Sequence, residues 1–503
     1  MRGLVFSQRP FPRRHTGRWA GLLLGGLLLG SGGLAAETDA LLAWQGLEDP
    51  LLRAAQFDLL QGDPFVALTQ LKAAQAQGHI KGPPGQLQLT LGGMYLAYGA
   101  HYRAAEIFSA LGESGQPQAV RDLAWLRLAQ VQYQRRQTDQ ALASLGHIAA
   151  ALPSQQQQER LLLMAMLLMQ NQRFDEAITY LRQLGQKSLV QQLSEKSVWA
   201  TYGRFNLGVA LHRQGETQEG EKLLQELGAA SATTEEELAL RDKANLTLAF
   251  HYLAKEDPAQ AQHYFEKTRL QGPMSSKALL GLGRAYSARQ EHKKSLVPWL
   301  KLSQQNPSDP AVQDALLAVP YAFGQLNALK QALEYYQQAL AVFKNEMQQV
   351  DRAEESVKRG VLVDSLAREL GGQERPGYGA LTDLPNTPGG HHLWQLFATH
   401  EFQETLKNYA QLRLSLGRLE QWSSEIDINE GLAPSQRQQL NTRILNAQGK
   451  VIDMLDRLQV HLQDLALAEL DKRRQRLQSY SGEARFSMAQ IYDYAAKRWG
   501  AEK

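Results

Sequence analysis

The chain has 503 residues, of which 43% are hydrophobic and 21% are charged, and it contains no cysteine. A chain of this length has room for roughly two or three domains, and its apolar fraction argues against wholesale disorder. Because cysteine is missing, disulfides, thiolate metal sites and a cysteine nucleophile are excluded.

Residues 1–36 are predicted to form a secretory signal peptide. Five arginines and no acidic residue precede Trp19, and an apolar, glycine-rich stretch runs from there to Ala36. Small residues followed by Glu37 are typical of a cleavage site. The apolar stretch is too short and too rich in glycine to make a good membrane-spanning helix. We therefore expect cleavage after Ala36 and localisation in the periplasm of a Gram-negative cell. The alternative is an uncleaved inner-membrane anchor that leaves the protein facing the periplasm.

Removal of this leader changes the net charge of the protein. The whole chain carries 54 basic and 51 acidic residues, for a formal net charge of +3. The leader holds five of the basic residues, so residues 37–503 carry 49 basic and 51 acidic residues and a net charge of −2. A protein without a basic excess has no general attraction for phosphates. We therefore expect no nucleic-acid partner.

A pattern of small residues recurs along residues 37–345. In eight places an apolar residue precedes a small one, or proline in the last copy, at intervals of 34 to 43 residues; these second residues are Ala55, Gly92, Ala129, Ala165, Gly208, Ala249, Gly283 and Pro320. Twelve residues after each stands another small residue, and four residues further a large apolar one. Helices cross closely only where small side chains let their backbones approach. The pattern therefore predicts about eight helix hairpins that stack into a solenoid, since one hairpin cannot bury its apolar face alone.

This pattern resembles the tetratricopeptide repeat family over roughly residues 45–345. The copies most similar to the family are Leu91-Gly92 with Tyr95, Leu248-Ala249 with Tyr252, and Leu282-Gly283 with Tyr286. Other copies depart from the family pattern: Asp58 and Gln132 stand where an aromatic residue is preferred, and Gly220 replaces the packing alanine. The resemblance implies a scaffold that binds peptides or proteins without catalysis.

Residues 346–503 are predicted to form an elongated bundle of long helices. An apolar stripe that repeats every seven residues begins at Leu329, and we expect it to continue as one rod to Gly371. Residues 371–392 are rich in glycine and proline and are predicted to be an exposed loop. Further helices are expected over about 393–422 and from Pro434 to Trp499. Three long helices joined by two connectors favour an antiparallel bundle. An apolar stripe that the bundle leaves uncovered could instead form a homodimer contact.

The end of the chain repeats the first-helix signature of the hairpins. Met488-Ala489 is followed by Tyr492 at the spacing seen in the repeats, but no second helix follows. We expect this segment to cap a groove of the same molecule or of a neighbouring one.

The candidate ligand-binding residues lie on the first helices of the hairpins, which the resemblance places on the concave face. They combine aromatic rings with amides and cations and are Gln130, Tyr133, Gln134, Tyr202, Phe205, His212, Arg213, Phe250, Arg284 and Tyr321. Rings cover apolar side chains, whereas Gln and Arg pair with backbone carbonyls and carboxylates, so the set suits a peptide. The alternative is that the aromatic residues pack between repeats and the polar ones are merely solvated.

No cofactor and no metal site is predicted. His391, His392 and His400 lie close in sequence, but the sequence after His400 lacks the second histidine of the zinc-protease pattern. We therefore interpret them as exposed loop histidines.

A basic cluster containing Arg473, Arg474 and Arg476 is interpreted as a solvated helix face. Weak contact of this cluster with anionic lipid or an acidic partner is the alternative.

The sequence contains no phosphate loop, dinucleotide fingerprint or nucleophile elbow. We therefore expect a protein that is not an enzyme: a periplasmic adaptor that holds a protein or peptide segment of a cell-envelope machine in the concave face of its solenoid. Two alternatives stay open, namely an envelope hydrolase acting on peptidoglycan or polysaccharide, and a structural rod that dimerises through its long helices.

Overall fold

The computed structural model describes residues 49–501, except 61–63, 81, 99, 151, 185–197, 372–389, 398 and 429–432. The predicted leader and most of the predicted loop at 371–392 lie outside the described residues. Every regular element within the described ranges is helical, which confirms the predicted all-α fold.

Eight helix hairpins fill the described part of residues 50–358. Their first helices are α1 (Pro50–Leu60), α3 (Pro84–Tyr98), α5 (Gln118–Gln134), α7 (Ser154–Gln170), α9 (Val198–Gln214), α11 (Glu235–Ala254), α13 (Ser275–Ala288) and α15 (Pro310–Gln325). Their second helices are α2 (Pro64–Ala76), α4 (His101–Gly112), α6 (Thr138–Gly146), α8 (Phe174–Leu184), α10 (Thr217–Ala229), α12 (Pro258–Glu266), α14 (His292–Ser303) and α16 (Leu329–Lys358). Each predicted pair of small residues falls on one hairpin, as the repeat register requires.

The described residues form two compact units. The first unit comprises residues 49–150 and 349–473, and the second comprises residues 152–348 and 474–501. Each unit combines a run of repeats with part of the long helices. The domain limits predicted from the sequence stay a prediction.

Small residues stand where the two helices of a hairpin cross. A Cβ atom added to Gly283 on α13 would overlap the indole of Trp299 on α14, a side chain that is fully buried. The indole Nε1 of Trp299 also donates a hydrogen bond of 3.1 Å to the carbonyl oxygen of Leu280. In the α9–α10 hairpin, a Cβ atom on Gly220 would lie 2.7 Å from the carbonyl oxygen of Gly208. The glycine that departs from the family pattern therefore allows the two backbones to approach closely in this hairpin.

The turn between the two helices has the same geometry in six hairpins. Seven residues after the small residue, the backbone adopts φ between 57° and 104° at Arg136, Gln172, Gly215, Glu256, Gln290 and Asn327. A left-handed residue at this point ends the first helix and sends the chain into the second. The recurrence of this turn supports the repeat register independently of the small residues.

The last second helix ends earlier than predicted. α16 stops at Lys358, the backbone at Gly360 has a positive φ of 76°, and α17 begins at Val361. The expected seven-residue stripe is buried at Tyr336, Phe343, Val350 and Val357. The prediction of one unbroken rod to Gly371 was wrong, because the left-handed backbone at Gly360 ends the helix.

The remaining elements are α17 (Val361–Gly371), a 3-10 turn (Gly390–His392), α18 (Trp394–Phe397), α19 (His400–Ile428) and α20 (Pro434–Ala501). In the first unit α19 packs on α17. α19 runs antiparallel to α20, because Ser423 hydrogen-bonds Asn441 at 3.4 Å and Tyr409 hydrogen-bonds Gln459 at 3.4 Å. Among the described helices, none combines the length and the apolar character that crossing a membrane requires.

Candidate functional site

The ten predicted ligand-binding residues divide between the two units. Gln130, Tyr133 and Gln134 lie on α5 in the first unit, and all three are half-buried. The side-chain oxygen of Gln130 accepts a hydrogen bond of 2.8 Å from Arg127 Nη1, and burial raises the pKa of Tyr133 to about 12. The other seven residues lie on α9, α11, α13 and α15 in the second unit.

Two of these seven side chains are buried between repeats. Tyr202 and Phe205 on α9 are 6% and 2% exposed. The hydroxyl of Tyr202 donates a 2.5 Å hydrogen bond to Glu236 in the first turn of α11, and burial together with that carboxylate raises the pKa of Tyr202. The ring of Phe205 lies beneath the ammonium of Lys243, 5.0 Å from the ring centroid. The contacts of Tyr202 and Phe205 are therefore packing contacts between neighbouring repeats, as the alternative interpretation of the sequence predicted.

His212 belongs to a polar cluster that the sequence did not reveal. Its ring meets that of His251 edge-on with centroids 3.9 Å apart. Glu221 on α10 accepts hydrogen bonds from His251 Nε2 at 2.7 Å, Tyr252 at 3.0 Å and Lys255 at 2.9 Å. Burial, and then the proximity of His251, lowers the pKa of His212 to about 4. The cluster joins the ends of two first helices to one second helix through neutral histidines.

Arg213 and Phe250 are the more accessible members of the set. Arg213 is exposed at the end of α9, and Phe250 is half-buried on α11. The ring of Phe250 packs edge-on against the buried Phe265, with centroids 5.1 Å apart. An aromatic ring that is anchored on one side and partly open on the other can cover an apolar group of a ligand.

Arg284 forms an ion pair within its own chain. Its Nη2 donates to Asp314 of α15 at 3.3 Å, and the other oxygen of that carboxylate accepts a hydrogen bond from the Tyr480 hydroxyl of α20. Burial lowers the pKa of Arg284, although Asp314 opposes this, and burial raises the pKa of Tyr480. The predicted anchor for a ligand carboxylate therefore already has a carboxylate partner.

The end of α20 covers this part of the second unit. The Tyr480 ring lies 5.8 Å from the ring of Phe343 on α16, and four side chains along one stripe of the helix are buried: Leu477, Ser481, Ala484 and Ile491. Tyr480, which precedes the segment with the first-helix signature on the same helix, thus contacts α15 and α16 of its own chain. Tyr321 on α15 is half-buried, and its ring meets that of His292 edge-on at 6.3 Å.

The sequence did not identify four side chains that occupy the same position on successive first helices. Six residues before the small residue of their repeats stand Tyr202, Lys243, Lys277 and Asp314. Lys243 is 6% exposed and Lys277 is half-buried. The signal was present as a lysine at the same register position in two neighbouring repeats, but its burial depends on contacts that one sequence does not display.

Of the three histidines considered as metal ligands, the structure describes the side chain of His392. Within the described ranges, no group of three or more acidic and histidine side chains could hold a metal ion. His392 is 1% exposed, so its interpretation as an exposed histidine was wrong, and the side chains of His391 and His400 lie outside the described part.

The predicted solvated face was wrong for one arginine of the basic cluster. Arg473 is 4% exposed, and its Nε lies 3.9 Å from Glu469. The neighbouring Arg474 and Arg476 are half-buried. Arg473 turns inward because it falls on the buried stripe of α20, between Leu470 and Leu477.

Comparison with known proteins supports the repeat architecture. Residues 246–310, which run from α11 to the start of α15, match the tetratricopeptide repeat family model. A search of curated proteins finds no match to this chain.

Several solved structures are similar to parts of the chain at low identity. A tetratricopeptide repeat protein from Parabacteroides merdae is 18% identical, with 53% of this chain and 97% of that chain covered and a TM-score of 0.35. PilW, a type IV pilus biogenesis factor, is 17% identical over 47% of this chain and 100% of its own, with a TM-score of 0.34. The apo form of RapI is 12% identical, with 82% of this chain and 98% of that chain covered and a TM-score of 0.37. TM-scores this low carry no argument about what this chain binds.

The family match covers one stretch of the chain. All eight hairpins keep the same register of small residues, and the six from α5 onward also share the left-handed turn. Residues 246–310 of this chain are identified as tetratricopeptide repeats.

Proposed function

We propose that the protein is a non-catalytic scaffold that binds a segment of another protein on the first helices α9, α11 and α13. The observation that carries this proposal is the repeat architecture, matched over residues 246–310. Repeats of this kind expose one helix of every hairpin along a common face, which suits an extended or helical ligand. The end of α20 covers the neighbouring α15, so we place the ligand on the preceding repeats.

The location that we propose is the periplasm, with a cell-envelope protein as the partner. The support is the sequence of residues 1–36, which has the basic start, apolar stretch and small-residue exit of a secretory signal. Mass spectrometry of the protein purified from cells tests this, and we expect the mature chain to begin at Glu37. An intact leader on a membrane-bound protein would favour the anchored alternative.

Affinity capture from envelope extract with the mature chain tests the binding face. Phe250→Ala removes a half-buried ring on α11, and we expect roughly tenfold weaker binding of the captured partner, because central aromatic residues contribute ~1–3 kcal/mol at interfaces. Val297→Ala on the second helix α14 is the matched control, since Val297 is 70% exposed. An equal loss of binding in both variants, or no loss in either, would contradict the assignment of the binding face to the first helices.

Dimerisation through the long helices is a second candidate role. Large apolar side chains on α19 and α20 are exposed at Trp422, Leu445, Ile452, Met454 and Val460. Large apolar side chains that stay exposed on long helices are candidates for an interface between two copies of the chain. Sedimentation equilibrium of the mature chain over a range of concentrations tests this role, and a constant monomer mass would contradict it.

A further inference from the structure

The end of α20 presents a helix-packing surface to solvent. In the hairpins, the small residue of each first helix is buried where the second helix crosses it, as at Gly283 beneath Trp299. Ala489 holds the same position in the first-helix signature of α20, but its side chain is exposed. The opposite face of this segment is buried in the second unit at Ala484 and Ile491. The face that contains Ala489 therefore resembles a first helix without a second helix across it.

The side chains around Ala489 are arranged symmetrically along the helix. Two aromatic residues, Phe486 and Tyr492, stand three residues before and after it and are 64% and 54% exposed. Two residues of opposite charge, Arg485 and Asp493, stand four residues before and after it and are also exposed. Residues that are three and four apart lie on one face of a helix. These side chains therefore share the exposed face of α20.

Two small residues extend the symmetry by one step in each direction. Gly482 and Ala496 stand seven residues before and after Ala489, and both are exposed. A Cβ atom added to Gly482 would meet no other atom within 4 Å. The surface from Gly482 to Ala496 is 15 residues long, which corresponds to about 21 Å of helix. Its small residues let the backbone of another helix approach, and the two aromatic rings between them supply apolar area.

Antiparallel pairing with a second copy gives each side chain of this surface a complementary partner. With a two-fold axis at Ala489, Phe486 lies opposite Tyr492 of the second copy, and Tyr492 lies opposite Phe486. Arg485 likewise lies opposite Asp493 of the second copy, so two ion pairs close the contact. A parallel pair would instead bring Arg485 against Arg485 and Asp493 against Asp493, and like charges across an interface oppose association. The order of the charges therefore favours the antiparallel arrangement.

We infer that the protein forms a homodimer in which residues 482–496 of two α20 helices pack antiparallel, with Ala489 at the two-fold axis. This surface lies in the second unit, whereas the exposed apolar side chains between Trp422 and Val460 lie in the first. The inference does not depend on the proposed partner. A dimer carries the proposed partner-binding face twice, which favours a partner that is present in several copies.

Charge reversal in the mature chain, residues 37–503, tests the dimer. Sedimentation equilibrium over a range of concentrations should show a dimer for the unchanged chain. Arg485→Asp and Asp493→Arg should each weaken dimerisation at least about tenfold, because like charges then face each other at both ends of the contact. A mixture of the two variants should recover the dimer, since every reversed charge faces its opposite again.

The mixture also controls for folding, because a variant that had lost its fold could not be rescued by another chain. Asp493→Arg does remove a 2.7 Å contact with Lys497 on the same helix, but exposed pairs of this kind stabilise little. Lys472→Asp is the matched control: it reverses an exposed charge of α20 outside residues 482–496, and we expect it to dimerise as the unchanged chain does.

Three results of the sedimentation experiment would overturn the inference. The first is a monomer mass for the unchanged chain at every concentration. The second is a dimer that the two charge-reversal variants form as readily as the unchanged chain, which would locate the contact on another surface. The third is a mixture of the two variants that stays monomeric.

Disulfide crosslinking tests the orientation of the two helices, and the absence of natural cysteine makes introduced thiols unambiguous. Gly482→Cys and Ala496→Cys are prepared as separate variants, one of them with an affinity tag. Antiparallel packing predicts a disulfide between the two variants in a mixture and none within either variant alone. Gly146→Cys, at an exposed glycine of α6, is the control and should link to neither. Disulfides between identical positions would contradict the antiparallel arrangement.

Discussion

Glu221 accepts hydrogen bonds from two side chains of α11 and from Lys255 just after it, and the imidazole of His251 lies between this carboxylate and the ring of His212. Both histidines are partly withdrawn from water, so the protonated imidazole is disfavoured in the folded protein. At the scale of single residues, this cluster makes stability depend on pH.

Stability should fall as the pH drops from 6.5 towards 4. The pKa of His212 is 6.5 without perturbation and about 4 in the fold, so between these values the unfolded chain binds a proton that the folded chain does not. The contribution of His212 to the free energy of unfolding is therefore fully present above pH 6.5, and it is lost as the pH falls towards 4. Because His212 is partly exposed, solvent screening reduces this effect, and we expect the free energy of unfolding to fall by ~1–2 kcal/mol.

His212→Gln should remove this part of the pH dependence, which denaturant unfolding at pH 7 and at pH 4.5 would measure. His263→Gln, at an exposed histidine of α12, is the control. The same decrease in stability with and without His212 would contradict the assignment.

At the scale of the helix hairpin, the left-handed turn residue is the feature most open to a direct test. Gly215 and Gln290 hold the same position in two hairpins, with φ of 104° and 61°. A Cβ atom at Gly215 would meet no other atom within 4 Å, so its substitution changes only the backbone preference. Left-handed backbone costs roughly 1 kcal/mol more for other residues than for glycine.

We therefore expect opposite effects from two substitutions at this turn. Gly215→Ala should lower the free energy of unfolding by about 1 kcal/mol, and Gln290→Gly should raise it by about 0.5–1 kcal/mol. Urea unfolding followed by circular dichroism would measure both. Changes of the same sign in the two variants would contradict the common geometry of the turns.

The sequence predicted the hairpins because their packing depends on local spacing. Ala249 and Ala261, for example, stand twelve residues apart on two helices joined by a short turn, and any repeat of that spacing predicts the crossing. The break at Gly360 was missed because the apolar stripe continues through it. The pairing of Asp314 with Tyr480 was missed because 166 residues separate them, and no local pattern records which distant helix covers Arg284.

At the scale of the whole molecule, the end of α20 should stabilise the repeats on which it packs. Ala484 is fully buried in the second unit, and Phe486 on the same helix is 64% exposed. Ala484→Glu places a charge in an apolar contact, so we expect this segment to detach and the amide hydrogens of α15 to exchange about tenfold faster or more. Hydrogen exchange with mass spectrometry would measure this.

Phe486→Glu is the matched control for that experiment, and we expect no change in α15. Unchanged exchange in the Ala484→Glu variant would show that the repeats do not depend on the end of α20.

Crosslinking in living cells tests the binding of a partner on the first helices most directly. A photoreactive phenylalanine analogue would replace Phe250 on α11 in one strain and Val297 on α14 in another. We expect a discrete protein adduct from position 250 and none from position 297. The absence of an adduct at position 250, or identical adducts at both positions, would contradict it.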